Sequence, residues 1–116
     1  MKLFLYSLYL VLLCCSCSQS KTIDITEFSQ KDTSNAILID VRTPMEYAEG
    51  HIENAKNINW FDADFEKQIK FINKEQVVYL YCKAGGRSAK AQQKLLDLGY
   101  KKVVNLEGGY LAFIAK

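Results

Sequence analysis

Hydrophobic positions along the chain fall into two rhythms. Thr22 to Ile25 alternates polar and apolar, Ile37 to Val41 is an apolar run broken only by Asp40, and Val77 to Tyr81 is rich in β-branched and aromatic residues. Ala55 to Ile58 and Lys102 to Asn105 are shorter runs of the same kind. Such runs predict strands, and those without polar alternation predict strands covered on both faces. Between them the spacing becomes helical. Phe65, Ile69 and Ile72 share a face in a stretch that Asp62 caps, and Ala91, Leu95 and Leu98 share one in a helix from Ala89 to Leu98 that Gly99 stops. Thr43-Pro44-Met45-Glu46 reads as a capping box with proline at the first helical position, and Gly50 closes that short helix. A short helical stretch is expected from Thr26 to about Lys31, a loop from Asp32 to Asn35, and a short final turn or helix from Gly108-Gly109.

Strands that alternate with helices predict an α/β fold, a parallel sheet with helices on both faces. Ligands of such sheets bind beyond the carboxyl ends of the strands, where Asp40, Arg42 and Cys82 fall. The segment Cys82-Lys83-Ala84-Gly85-Gly86-Arg87-Ser88 joins the strand at Val77–Tyr81 to the following helix. A tight strand-to-helix turn points successive N–H groups inward and makes an anion-binding nest at the positive end of the helix dipole. The nearby charges and dipoles then favour the thiolate of Cys82, so a nucleophilic sulfur in an anion cradle is expected. A buried, inert cysteine suits a Gly-Gly-Arg loop poorly.

Composition narrows this reading at three points. A chain of 116 residues forms one domain with one core, and a net charge of +2 gives no argument for a nucleic-acid partner. The amino terminus stands apart from the fold. Met1-Lys2 precedes the apolar run Leu3 to Leu13 and then Cys14-Cys15-Ser16-Cys17, the layout of an export signal over residues 1–17. Cys17, preceded by Ser16, resembles the lipid-attachment cysteine of bacterial lipoproteins, so an exported, lipid-anchored protein of the cell envelope is expected. An uncleaved anchor and a plain secretory signal are the alternatives. Ser18 to Lys21 reads as a polar tether, with the domain spanning residues 22–116. Three of the four cysteines lie in the export segment, which leaves Cys82 without an intramolecular partner.

Three blocks resemble the rhodanese family of sulfurtransferases. Cys82 to Ser88 is similar to its active-site loop. Ile39-Asp40-Val41-Arg42, Glu46-Tyr47, Gly50-His51-Ile52, Ala55 and Asn57-Ile58 are similar to its second signature. Leu106-Glu107-Gly108-Gly109 to Phe113 is similar to its closing block, with Phe113 where the family carries Trp. The resemblance implies a single rhodanese-like domain that transfers sulfane sulfur. Cys82 would attack an anionic donor such as thiosulfate, hold the sulfur as a persulfide, and release it to a thiol, protein or cyanide acceptor, with no cofactor and no metal. Backbone N–H groups from Lys83 through Ala84, Gly85, Gly86 and Arg87 to Ser88 would stabilise the persulfide, and Lys83 and Arg87 would attract the donor.

Asp40 and Arg42 are expected to brace loops by charge-assisted hydrogen bonds, and Glu46 to close the capping box and pair with Arg42. Arg87 is alternatively a brace paired with a carboxylate. His51, the only histidine, is expected to be structural; Tyr79 and Tyr81 to be core or site wall; Trp60 and Phe61 to be pocket rim or packing. Two other functions stay open, a non-enzymatic persulfide carrier or redox sensor, and a cysteine phosphatase. The phosphatase loop places five residues between Cys and Arg, against the four from Lys83 to Gly86 here.

Overall fold

The structure, a computed structural model, describes residues 19–116; the expected export segment, Cys17 and Ser18 lie outside the described residues. Five parallel strands form one sheet in the order β1-β5-β4-β2-β3. They are β1 (Gln19–Asp24), β2 (Ala36–Asp40), β3 (Lys56–Asn57), β4 (Val77–Tyr81) and β5 (Lys102–Glu107). Four helices accompany them: α1 (Pro44–Glu49), α2 (Phe65–Gln68), α3 (Gly86–Asp97) and α4 (Gly109–Ala115). No helix among the described residues is long and apolar enough to cross a membrane.

Alternation along β4 divides the core. Val78 and Leu80, with Cys82 just beyond, pack with Ile39, Val41 and Val103 under Phe65, Ile69, Ile72, Ala91 and Leu95 of the α2 and α3 side. Tyr81, with Leu38, Val104 and Leu106, faces Ile25, Phe28, Ile52 and Ala55 on the other side, where Tyr79, Tyr110 and Phe113 complete the layer. A strand with two apolar faces needs a cover on each, which is why β4 reads as a continuous apolar run.

Several boundaries differ from the sequence reading, β5 among them, which runs on to Glu107. Gln19 to Lys21, expected as tether, belong to β1, where Gln19 pairs with Lys102 and Lys21 with Val104. The stretch from Thr26 to Lys31 is two 3₁₀ turns, Ile25–Glu27 and Gln30–Thr33, because Asp24 caps the first and a Ser29–Asp32 capping box restarts the chain. The helix expected from Asp62 to Ile72 is four α-helical residues followed by a 3₁₀ turn, Ile69–Phe71; the Asp62 carboxylate accepts from Asn59 and Gln68 rather than capping it. Helix α3 starts at Gly86, three residues earlier than expected, because Gly85 takes φ 118°, a left-handed conformation that turns the chain directly from loop to helix.

Candidate active site

Cys82 leaves the carboxyl end of β4, in the middle of the sheet, and its residue is 1% exposed. The Gly85 N–H donates to its Sγ at 3.0 Å. The Ser88 hydroxyl, buried in the first turn of α3, lies 3.4 Å from Sγ and 3.2 Å from the Gly85 carbonyl, so its single proton serves one or the other. Burial pushes the thiol up and is the largest single influence, although the sequence reading disfavours a buried cysteine in this loop. Hydrogen bonds from the Ser88 hydroxyl and from the Ser88, Gly85 and Ala84 backbone together outweigh it and hold the thiol below its ordinary value. The cradle therefore stabilises a sulfur anion shielded from water.

The loop is clamped from outside by α4. The Tyr110 N–H donates to the Cys82 carbonyl at 2.8 Å and the Leu111 N–H to the Lys83 carbonyl at 3.1 Å. Gly109, at φ 65°, lies so close to Lys83 that an added Cβ would overlap the Lys83 carbonyl and the Ala84 nitrogen. A second brace comes from β2. Asp40, fully buried, accepts from the Arg42 backbone at 2.9 Å and from its guanidinium at 2.6 to 3.1 Å. Arg42 also donates to the Gly50 carbonyl at 2.7 Å, with its guanidinium carbon 4.4 Å from the centre of the Tyr110 ring. The pair thus ties β2, the loop after α1, and α4 into one frame around the cysteine.

Glu46 closes the capping box with Thr43, as expected, but its ion pair is with Arg87 and not with Arg42. Asp40 already takes Arg42, two residues along the same chain, and Arg87 at the start of α3 reaches across to α1. Two parallel bonds, 2.7 and 3.0 Å, join Arg87 to Glu46. The Arg87 guanidinium pulls the Glu46 carboxyl down to about 2, against burial and with help from Thr43. Arg87 is therefore engaged as a brace, while Lys83 is exposed and has no ion pair among the described residues. Ala84 and Gly86 lie exposed on the same loop. A cleft of about 230 Å³ opens beside it, lined by Arg42, Glu46, Glu49, Lys83, Tyr110 and Leu111 among others.

A profile of the rhodanese-like domain family matches residues 24–116. The chain belongs to that family. A sulfurtransferase of Allochromatium vinosum is 37% identical over 93 residues, which cover 78% of this chain and 85% of that protein. Thiosulfate sulfurtransferase 18 of Arabidopsis thaliana is 32% identical over 105 residues, 80% of this chain and 77% of the plant protein. The same domain forms part of larger proteins: the tRNA uridine(34) hydroxylase of Cronobacter sakazakii is 34% identical over 89 residues, 73% of this chain but only 26% of the hydroxylase. Among solved structures, a rhodanese-like domain protein of Staphylococcus aureus superposes with a TM-score of 0.70 at 35% identity, over 80% of this chain and 90% of that one.

In this rhodanese-like domain the remaining residues divide clearly. His51 is exposed, stacks on Tyr47 with ring centres 3.7 Å apart, and has Nδ1 2.9 Å from the Tyr47 carbonyl; none of its contacts is with the cysteine loop. Trp60 packs edge-on against Phe65 beside the core, whereas Phe61 is 66% exposed, with the Arg87 guanidinium carbon 5.5 Å from its ring centre. Tyr81 is core, and its hydroxyl accepts the Ile52 N–H at 3.0 Å. Sequence reasoning did not assign the backbone of Tyr110 and Leu111 to the site. The Gly108-Gly109 pair was the available signal, since adjacent glycines mark a close backbone approach.

Proposed function

We propose that the protein is a sulfurtransferase that carries sulfane sulfur on Cys82. The observation that supports this best is the sulfur itself, buried at the start of α3 with the Gly85 N–H on it and Ser88 beside it. The Cys82 thiolate attacks the outer sulfur of thiosulfate, an S–S bond forms to the protein, the donor's S–S bond breaks, and sulfite departs with the electron pair. The terminal sulfur of the persulfide keeps one negative charge, which the loop N–H groups stabilise as they did the thiolate. Cyanide or a thiolate then attacks that terminal sulfur, and Cys82 leaves as thiolate. Both steps run through the Cys82 thiolate, the form that the loop hydrogen bonds favour, and His51 is turned to the Tyr47 carbonyl instead.

Lys83 is the cation suited to drawing in the anionic donor, since Arg87 is neutralised by Glu46. Intact-mass measurement after thiosulfate treatment should show one added sulfur atom on Cys82, and cyanide should remove it as thiocyanate. Cys82→Ser should do neither. The burial of Sγ also supports a second reading, a persulfide carrier that serves a dedicated protein partner, because a buried sulfur restricts which acceptors reach it. Fast multiple turnover with cyanide or small thiols would exclude the carrier.

The same reading extends to location. The basic start, the apolar run Leu3 to Leu13 and the Ser16-Cys17 pair support export and attachment of lipid at Cys17, with a free thiol remaining only at Cys82. Cys17→Ala should release the protein from the membrane fraction or block its processing, and an unprocessed soluble wild-type product would exclude it.

A further inference from the structure

All strands of the sheet are parallel, so one end collects every strand's amino terminus and the other the cysteine loop. At the amino end β1 begins at Gln19, which pairs with Lys102, the first residue of β5; Lys102 in turn pairs with Val77, the first residue of β4. Lys21 and Lys102 flank a hollow of about 210 Å³ with a floor of Val77, Tyr79, Val103 and Val104. Lys101 and Lys74 lie on the same end, joined by a backbone bond from the Lys101 N–H to the Lys74 carbonyl. Glu75 pairs with Lys101 at 3.3 Å, with both side chains more than half exposed, Asp97 accepts from Gln93, and Asp32 stands near Tyr79. Lys21 and Lys102 are exposed and have no ion pair among the described residues.

Chain length decides what this end must face. Two peptide steps separate Cys17 from Gln19, a reach of at most about 7 Å. A lipid on Cys17 would therefore hold the first residue of β1, and Lys102 beside it, at headgroup depth. Even a membrane-embedded Leu3 to Leu13 leaves five residues, six peptide steps, before β1, a reach of at most about 22 Å.

We propose that the amino end of the sheet is a membrane-docking face, on which Lys21, Lys102 and Lys74 contact anionic lipid headgroups while the Cys82 loop faces water at the far end of β4. The five residues of β4 put that loop about 16 Å farther from the lipid. The inference rests on the attachment proposed above, and the experiment separates the two. The full chain is incubated with vesicles of phosphatidylcholine, or of an equal mixture of phosphatidylcholine and phosphatidylglycerol, and its lysines are acylated and mapped by mass spectrometry. Sedimentation with the neutral vesicles reports the anchor, and the labelling pattern reports the face.

Labelling of Lys21 and Lys102 should fall roughly fivefold in the anionic vesicles relative to the neutral ones, in line with the attraction of a lysine to an anionic surface. It should recover at high salt, while Lys83 and Lys90 stay equally reactive throughout. The Lys21→Glu, Lys102→Glu double variant should lose the lipid dependence at Lys74 and keep its sulfur transfer. Equal labelling of Lys21 and Lys102 in the two vesicles would overturn the proposal whatever the fate of the anchor. Protection by an RNA duplex and not by vesicles would overturn it as well.

Discussion

Replacing Glu46 by Gln tests the electrostatic brace between α1 and the cysteine loop. The side chains of Arg87 and Glu46 are 20% and 26% exposed, and two bonds of 2.7 and 3.0 Å join them. Moving a carboxyl from 4.5 to about 2 corresponds to about 3.4 kcal/mol, at about 1.36 kcal/mol per pH unit. Two effects reduce that figure. A quarter of each side chain meets solvent and is screened, and the bonds to Thr43 survive in Gln, whose amide oxygen still closes the capping box. The expected loss at neutral pH is about 1.5 to 2 kcal/mol. Because the folded value is depressed, the wild-type advantage is complete above the unfolded value near 4.5 and fades as the pH falls towards about 2. Urea unfolding of both proteins across that range should therefore give curves that differ at neutral pH and converge in acid. A gap that stays constant to the acid end would mean that Glu46 acts through packing, and the argument from charge would fail.

Other outcomes follow from the same geometry. Lys83→Ala should raise the KM for thiosulfate about two- to fivefold with kcat little changed, because an exposed charge contributes about 0.5 to 1 kcal/mol; equal loss with a neutral donor would assign Lys83 to the loop's structure instead. Arg87→Ala, by contrast, should weaken anionic and neutral donors alike, since it loosens the loop by releasing Glu46. Gly109→Ala should lower stability by about 2 kcal/mol or more and reduce persulfide formation, because the methyl group must displace the Lys83 carbonyl and φ is positive. Normal activity there would show that α4 does not position the loop. Alkylation of Cys82 should persist below the ordinary thiol range, and Ser88→Ala should shift its pH profile upward by removing a hydroxyl from the sulfur; an unmoved profile would leave the backbone N–H groups as the whole cause.

Much of this was legible in the sequence where local chemistry settles it. β4 and its loop followed from an apolar run meeting a Cys-x-x-Gly-Gly segment, and the Thr43–Glu46 capping box stands as read. What escaped were choices between partners. Arg42 and Arg87 both lie within plausible reach of Glu46 on paper, and only the burial of Asp40 beside Arg42 leaves Glu46 to Arg87. Burial of the sulfur was likewise invisible, since exposure depends on how α4 closes over the loop. Gln19 to Lys21 look polar and flexible, and become a strand only because β5 offers them an edge. The shortened α2 has the same origin: Phe65, Ile69 and Ile72 reach the core together without an unbroken helix.

The sheet order has a consequence for how the protein is made. Among the described residues β1 borders only β5, the last strand, so the first part of the domain to be synthesised waits for nearly the last before it finds its hydrogen bonds. Cys82 is likewise complete long before Gly109 to Leu111 arrive to close over it. During translation there is thus an interval in which the thiol exists without the α4 backbone that clamps its loop. In that interval it has an ordinary thiol's reactivity and an open strand edge beside it. An oxidant or a chaperone would meet a different cysteine from the one a sulfur donor meets later.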